Sequence, residues 1–324
     1  MLARLYKSAT FVQNLVIVLA GAALWFPRFY TPQTMTTDYQ QPLFDLCFGG
    51  LSQFPYISTG IALLLLLVAA FVEQQSLHFD RLRISGHSFP ALLFVALSAT
   101  PHVALFSPVI FTAAMLAVAL LLIFRIPETL QNDHLIFFTA FFFGIATLFY
   151  LPALFLMALF IAFFFGGGYF SSKKTVVALL GFLLPVIWAA AGLYLSSNLL
   201  PLIEQWKEHF FLFSYPQPDS DIASLVVLSL LVLVYISMIS RILSKLPERT
   251  AIIRRRITIS VYLAFLIFVG AFFSYNFYEH LSLLSVPMVA LISYYYNEDA
   301  ETSWGDYTLL GCFVALVIYS FLQL

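Results

Sequence analysis

Acidic side chains occur in only a few polar segments of this otherwise apolar chain, and they are the first residues to consider for chemistry. Asp38 and Asp45 lie in the segment RFYTPQTMTTDYQQPLFDLCFGGLSQFP (28–55). A carboxylate can take a proton from an attacking group, or hold a divalent cation that bridges phosphates. We therefore take Asp38 and Asp45 as candidate catalytic residues.

A second group of acids and imidazoles could bind a substrate. Some of them lie in the segment SSNLLPLIEQWKEHFFLFSYPQPDSD (196–221), and others beside apolar runs. No metal-ligand spacing such as HExxH occurs, so we assign no metal site and keep a divalent cation as an option. The candidate substrate-binding residues are His102, Glu204, Glu208, His209, Glu279 and His280.

Each candidate also has a structural interpretation. Asp38 could organise a turn through its side chain, and His102 could be a hydrogen-bonded structural histidine. Glu204 and Glu208 could form the wet side of an interfacial helix, and Glu279 with His280 could form a turn and helix cap. The residue types alone leave both interpretations open.

The composition places these residues in a membrane protein. Apolar residues make up 62% of the 324 residues and charged residues 10%, with a mean hydropathy of +0.95. Soluble domains have about 25% charged residues, and such an apolar excess cannot be buried in a water-soluble core. The net charge is −1, and the positive and negative residues are distributed unequally among the loops. We expect the lipid bilayer as a partner, and no nucleic acid.

The apolar runs predict an all-α protein with about eleven transmembrane helices in a single domain, 1–324. Crossing the hydrocarbon takes about 20 mostly apolar residues. The first run follows a basic start without a clean cleavage site, which favours a retained helix over a signal peptide. The predicted spans are 9–27, 56–73, 89–106, 108–125, 135–150, 152–170, 175–196, 222–240, 257–275, 281–297 and 307–323.

Lysine and arginine set the predicted orientation, because cytoplasmic loops retain positive charge. With the N-terminus in the cytoplasm and the C-terminus in the periplasm, only Arg28 and Lys207 of the fifteen cations fall outside. The cytoplasmic cations are Arg4, Lys7, Arg81, Arg83, Arg125, Lys173, Lys174, Arg241, Lys245, Arg249, Arg254, Arg255 and Arg256.

This topology makes segments 28–55 and 196–221 the two large outer loops and 241–256 a basic cytoplasmic connector. The second outer loop carries an apolar stripe at helical spacing, which predicts a helix lying in the membrane interface. The connector is an ordinary topology determinant that also attracts anionic headgroups. The stripe comprises Leu199, Leu202, Ile203, Trp206, Phe210 and Leu212.

Two long stretches carry a resemblance to a known family. They are QQPLFDLCFGGLSQFPYISTGIALLLLLVAAFVEQQSLHFDRLRISGHSFPALLFVALS (40–98) and NDHLIFFTAFFFGIATLFYLPALFLMALFIAFFFGGGYFSSKKTVVALLGFLLPVIW (132–188). Both resemble an uncharacterised family of polytopic Bacteroidota inner-membrane proteins. The elements GIATLFYLP (Gly144–Pro152) and LLGFLLP (Leu179–Pro185) are particularly similar. The resemblance implies an inner-membrane location and no defined activity.

The arrangement of loops is also similar to that of the membrane-embedded GT-C glycosyltransferases. Those enzymes use a polyprenyl-phosphate-linked sugar and place an acidic residue in the first outer loop. The resemblance implies that Asp38 takes that role, with Asp45 as second choice. The Asp-Glu or Glu-x-Asp signature typical of the class is absent here.

Three functions therefore remain open for this envelope protein. One is a GT-C-like transferase acting on a polyprenyl-phosphate-linked sugar at the outer face. The second is a noncatalytic scaffold with envelope or secretion proteins as partners, and the third is a transporter of lipids or small molecules. Transport is disfavoured by the lack of charged residues deep in the spans, since Glu73 lies at the predicted end of its span.

Overall fold

A computed structural model describes residues 11–30, 42–78, 89–98, 106–126, 132–157, 171–210, 236, 239–240, 242–272, 274 and 277–298. Within these residues the chain is helical and has no strand, so the all-α prediction is confirmed for the described part. We number the helices along the chain as α1 Phe11–Tyr30, α2 Pro42–Phe48, α3 Pro55–His78, α4 Phe89–Leu97, α5 Pro108–Arg125, α6 Asp133–Phe149, α7 Ser172–Leu195, α8 Leu199–Phe210, α9 Ala251–Ala271, α10 Phe277–Leu281 and α11 Ser285–Glu298.

Three of these helices are long and apolar enough to cross a membrane. They are the segment Pro55–Leu77 of α3, all of α5 and all of α7. Shorter apolar helical segments occupy Ile17–Phe26, Asp133–Phe149 and Glu279–Tyr294. These features support a membrane protein, whereas the total of eleven spans stays a prediction. The predicted span 307–323, and most of 152–170 and 222–240, lie outside the described residues.

Local sequence explains where two of the long helices begin. Ser107 caps α5, its hydroxyl oxygen accepting a hydrogen bond from the Ile110 N–H at 3.4 Å, and Pro108 takes the first helical position. Ser171 caps α7 in the same way, accepting from the Lys174 N–H at 3.3 Å. Serine suits this position because its oxygen satisfies an N–H that the helix leaves unpaired.

Helices α6 and α7 form a close parallel pair. Near their first residues, Lys173 Nζ lies 2.6 Å from Asp133 Oδ2. Halfway along, a Cβ on Gly144 would lie 2.6 Å from the Phe182 carbonyl oxygen, and a Cβ on Gly181 would collide with the Phe137 carbonyl. The missing side chains therefore let the two backbones touch, as small residues do between membrane helices. These glycines and Pro185, which lies against Gly144, belong to the two elements that carry the family resemblance.

The bundle has two distinct ends. At one, the buried Arg256 of α9 donates from Nη2 to the Phe124 carbonyl of α5 at 3.1 Å, and its guanidinium lies 5.4 Å from the Phe124 ring centroid. We call it the arginine end; the starts of α6, α7 and α9 and the end of α5 meet there. The opposite end carries α2 and α8, and we call it the α2–α8 end.

Large apolar side chains cover much of the outside of the bundle. Leu180 and Trp188 on α7 are 56% and 63% exposed, and Phe265 on α9 is 61% exposed. By contrast, α5 is the most buried of the three long helices. Such an apolar exterior is costly in water and suits the hydrocarbon of a bilayer.

The glycine contact yields a stability prediction. Gly144→Ala places a methyl group against backbone that cannot move aside easily, and overpacking of this kind costs about 1–3 kcal/mol. We expect a lower thermal midpoint for the purified protein in detergent. Gly192→Ala on α7 is the matched control, because a Cβ there meets nothing within 4 Å. Gly192→Ala should be neutral or should stabilise the protein by about 0.4–1 kcal/mol. An equal fall in the thermal midpoint of both variants would contradict the close α6–α7 contact.

Candidate functional site

An aromatic cluster fixes the short helix α2 to the bundle. The Phe48 ring lies 5.1 Å from Phe106 and 5.9 Å from Phe149, centroid to centroid. Phe44 packs against Phe48 and Phe106 at 5.2 Å, and Phe111 lies 4.6 Å from Phe149. Aromatic rings at these separations attract one another beyond their area burial. The first predicted outer loop is thus partly helical and packed against the bundle.

A small leucine cluster joins α2 to α8. It consists of Leu43 on α2, Leu148 on α6, Leu193 on α7 and Leu202 on α8, all buried. Helices α2 and α8 come from the two long polar segments that the sequence analysis singled out, and they contact each other. The ends of α6 and α7 therefore support both helices.

The prediction of a helix in the second long segment is confirmed for Leu199–Phe210. Its start is amphipathic, with Leu202 buried and Glu204 exposed. Leu200 is 72% exposed, which leaves an apolar side chain beside the acid at the surface. This pattern suits a helix that rests in a membrane interface.

The α2–α8 end presents two of the predicted acids. Asp45 is half-buried on α2, and burial raises the pKa of its carboxyl above the ordinary value. Glu204 is exposed on α8. Glu208 and His209 belong to the same helix, but their side chains lie outside the described residues, as do Asp38 and His102.

The other predicted pair, Glu279 and His280, lies inside the bundle. The two side chains are 1% and 0% exposed. His280 Nδ1 lies 2.7 Å from the Tyr150 hydroxyl, which joins α10 to the residue that follows α6. Gly270 on α9 makes room for the imidazole, since a Cβ there would lie 3.0 Å from His280 Nε2. His280 thus makes a buried contact between α10 and the end of α6, at the same end of the bundle as α2.

Tyr150 was not among the predicted site residues. It is 5% exposed and hydrogen-bonded to a residue 130 positions away. Its only signal in the sequence is its place in the GIATLFYLP element, at the end of the predicted span 135–150. Nothing in that element indicates the partner.

The geometry limits the chemistry of the described residues. They contain no group of three His, Cys, Asp or Glu that could hold a metal ion. A cavity of about 10 Å³ between α3, α4, α5 and the start of α11 is lined in part by Ser98, Ser282 and Ser285. That space suits one water molecule rather than a substrate.

Comparison with known protein families, curated proteins and solved structures gives no match for this chain.

The Tyr150–His280 hydrogen bond can be tested by removing one oxygen. Tyr150→Phe leaves a buried ring nitrogen without its partner, which costs about 1–3 kcal/mol. We expect a lower thermal midpoint in detergent. Tyr194→Phe is the control, because Tyr194 is 73% exposed and the same deletion there should change stability by no more than about 0.5 kcal/mol. If the two variants melt alike, the hydrogen bond does not hold α10 to the bundle.

Proposed function

We propose that this chain is an inner-membrane protein of cell-envelope assembly and that it transfers a sugar from a polyprenyl-phosphate-linked donor at the α2–α8 end. The observation that carries the proposal is the contact between α2 and α8, which brings the two long polar segments together. A GT-C-like arrangement predicts that these two segments lie beside each other over an outward-facing cavity, and the contact supports the first part of that expectation. The half-buried Asp45 and the exposed Glu204 lie on the helices that make it.

The charge distribution supports an outward-facing α2–α8 end. Cytoplasmic surfaces of membrane proteins retain lysine and arginine. A large set of cations lies at the arginine end, which would then face the cytoplasm and place the two polar helices outside. Within the described residues this set comprises Arg125, Lys173, Lys174, Lys245, Arg249, Arg254, Arg255 and Arg256.

In the proposed reaction an acceptor hydroxyl attacks the anomeric carbon of the donor sugar. The new bond joins the acceptor oxygen to that carbon, and the bond from the carbon to the phosphate oxygen breaks. An aspartate takes the hydroxyl proton, and the polyprenyl phosphate leaves with the bonding electrons. Asp38 is the proposed base, with Asp45 as the alternative. Burial raises the pKa of Asp45, which brings a general base closer to neutral pH.

The amphipathic α8 supports a lipid-linked donor. Leu200 and Glu204 place an apolar side chain and an acid on the same exposed part of the helix. A helix of this kind lies at the headgroup level, where a polyprenyl chain enters the hydrocarbon and its phosphate stays in the interface. A divalent cation held by the carboxylates would neutralise that phosphate.

A noncatalytic scaffold is the second candidate. The observation in its favour is α7, whose exposed apolar side chains include Leu179, Leu180, Ile187, Trp188 and Leu195. Such a face can pack against helices of a partner protein as well as against lipid. In that case the acids at the α2–α8 end would be a solvated surface.

Asparagine substitutions separate the two candidates. Asp38→Asn should leave expression and membrane insertion intact but abolish complementation of a deletion strain, because losing a general base costs on the order of 10²–10⁴ in rate. Asp45→Asn should have a milder effect. Glu248→Gln is the control: it removes an exposed carboxylate from the arginine end, where such a change alters stability by no more than about 0.5 kcal/mol.

The pH profile of any transfer activity adds a second readout. A base must be ionised to work, so activity falls as the pH drops through its pKa. If Asp45 is the base, burial raises its pKa, so activity falls at a higher pH than it would with an exposed aspartate. Any activity that remains in Asp45→Asn should not show this fall. Full complementation by both single variants and by the double variant would contradict the transferase and leave the scaffold.

A further inference from the structure

Glu73 lies within a helix, whereas hydropathy placed it at the end of a span. The sequence predicts a span over 56–73, but α3 continues through Gln74, Gln75, Ser76 and Leu77 to His78. At 1.5 Å per residue, Glu73 lies about 7 Å before the last residue of the helix. Its side chain is 0% exposed. Glu73 therefore lies inside the segment Pro55–Leu77, which is long and apolar enough to cross a membrane, rather than at its last residue.

The carboxyl of Glu73 has few hydrogen-bond partners. Oε2 lies 3.4 Å from the Ser76 hydroxyl, which donates a shorter hydrogen bond of 2.8 Å to the Glu73 backbone carbonyl. Oε1 is buried and has no hydrogen-bond partner. Helices α1, α4, α5 and α11 pack against α3, and their described titratable side chains are Arg125 and Tyr294. Neither is hydrogen-bonded or ion-paired to Glu73.

Glu73 shares the buried face of α3 with the serine-lined cavity. Leu66 and Ala69, which line that cavity, precede Glu73 by seven and four residues and therefore lie on the same side of the helix. Ser98, Ser282 and Ser285 face the cavity from the neighbouring elements. Ser282 begins the 3₁₀ turn that separates α10 from α11, and Ser285 is the first residue of α11. Interrupted helices beside internal polar space are typical of ion and proton sites in membrane proteins.

The described residues place no cation against this carboxyl, and burying an ionised carboxylate without a charged partner is costly. We propose that Glu73 is a proton-binding site in the bundle interior, a neutral acid that gives its proton reversibly to a water molecule entering by way of the serine-lined cavity. In that step the O–H bond of the acid breaks, a new O–H bond forms on water, and the products are a carboxylate and hydronium. The site is independent of sugar transfer at the α2–α8 end.

Carbodiimide labelling of the purified full-length protein tests this proposal. A protonated acid adds across a C=N bond of dicyclohexylcarbodiimide, its oxygen going to carbon and its proton to nitrogen, and the adduct rearranges to a stable acylurea. An ionised carboxylate does not react in this way. Glu248 is the internal control, because it is an exposed acid in the basic connector. The adducts are located by peptide mass mapping.

We expect dicyclohexylcarbodiimide to label Glu73 at neutral pH and not Glu248. At mildly acidic pH, where a fraction of an exposed carboxyl is protonated, a water-soluble carbodiimide with glycine amide should label Glu248 and not the buried Glu73. Raising the pH, within the range where the protein stays monodisperse, should reduce the Glu73 adduct, and returning to neutral pH before labelling should restore it. Absence of the adduct at every pH would overturn the proposal. An adduct that does not change with pH would also overturn it, since the acid would then exchange no proton.

Discussion

The close contact between α6 and α7 is the constraint on which the rest of the described structure depends. Gly144 and Gly181 leave no side chain between the two helices at their closest approach, so the backbones touch. Because the pair is parallel, this contact and the Asp133–Lys173 ion pair bring the far ends of both helices together. Leu148 and Leu193 then form one apolar surface, and α2 and α8 pack on it through Leu43 and Leu202.

The parallel pair also constrains the path of the chain. Helix α6 ends at Phe149 at the α2–α8 end, and α7 begins at Ser172 at the arginine end. The sequence predicts a span over 152–170 between these two ends, and that span stays a prediction.

The sequence predicted those features that a local pattern controls. The span 108–125 coincides with α5, because Ser107 and Pro108 start the helix and Arg125 ends the apolar run. The stripe in 196–221 predicted α8, because one face of a helix is read directly from residue spacing. Hydropathy missed the end of α3, since the residues 74–78 are polar enough to leave an apolar run but continue a helix without cost.

The contacts between distant segments could not be predicted in this way. His280 and Tyr150 are 130 residues apart, and nothing in either segment indicates the other. The contact between α2 and α8 likewise depends on how α6 and α7 approach each other. Residue type indicated which acids and imidazoles could react, but only packing separates the surface acids Asp45 and Glu204 from the buried Glu279 and His280.

Cross-linking of α2 to α8 tests this account most directly. Cysteines replace Leu43 and Leu202 in a chain whose Cys47 and Cys312 are changed to serine, and a short bismaleimide is added to membranes. Digestion and mass mapping should recover a peptide that joins the two positions. The control pairs Leu43 with Leu246, which lies at the arginine end, and should give no such peptide. Failure of the first pair, or equal cross-linking of both, would contradict a shared α2–α8 end.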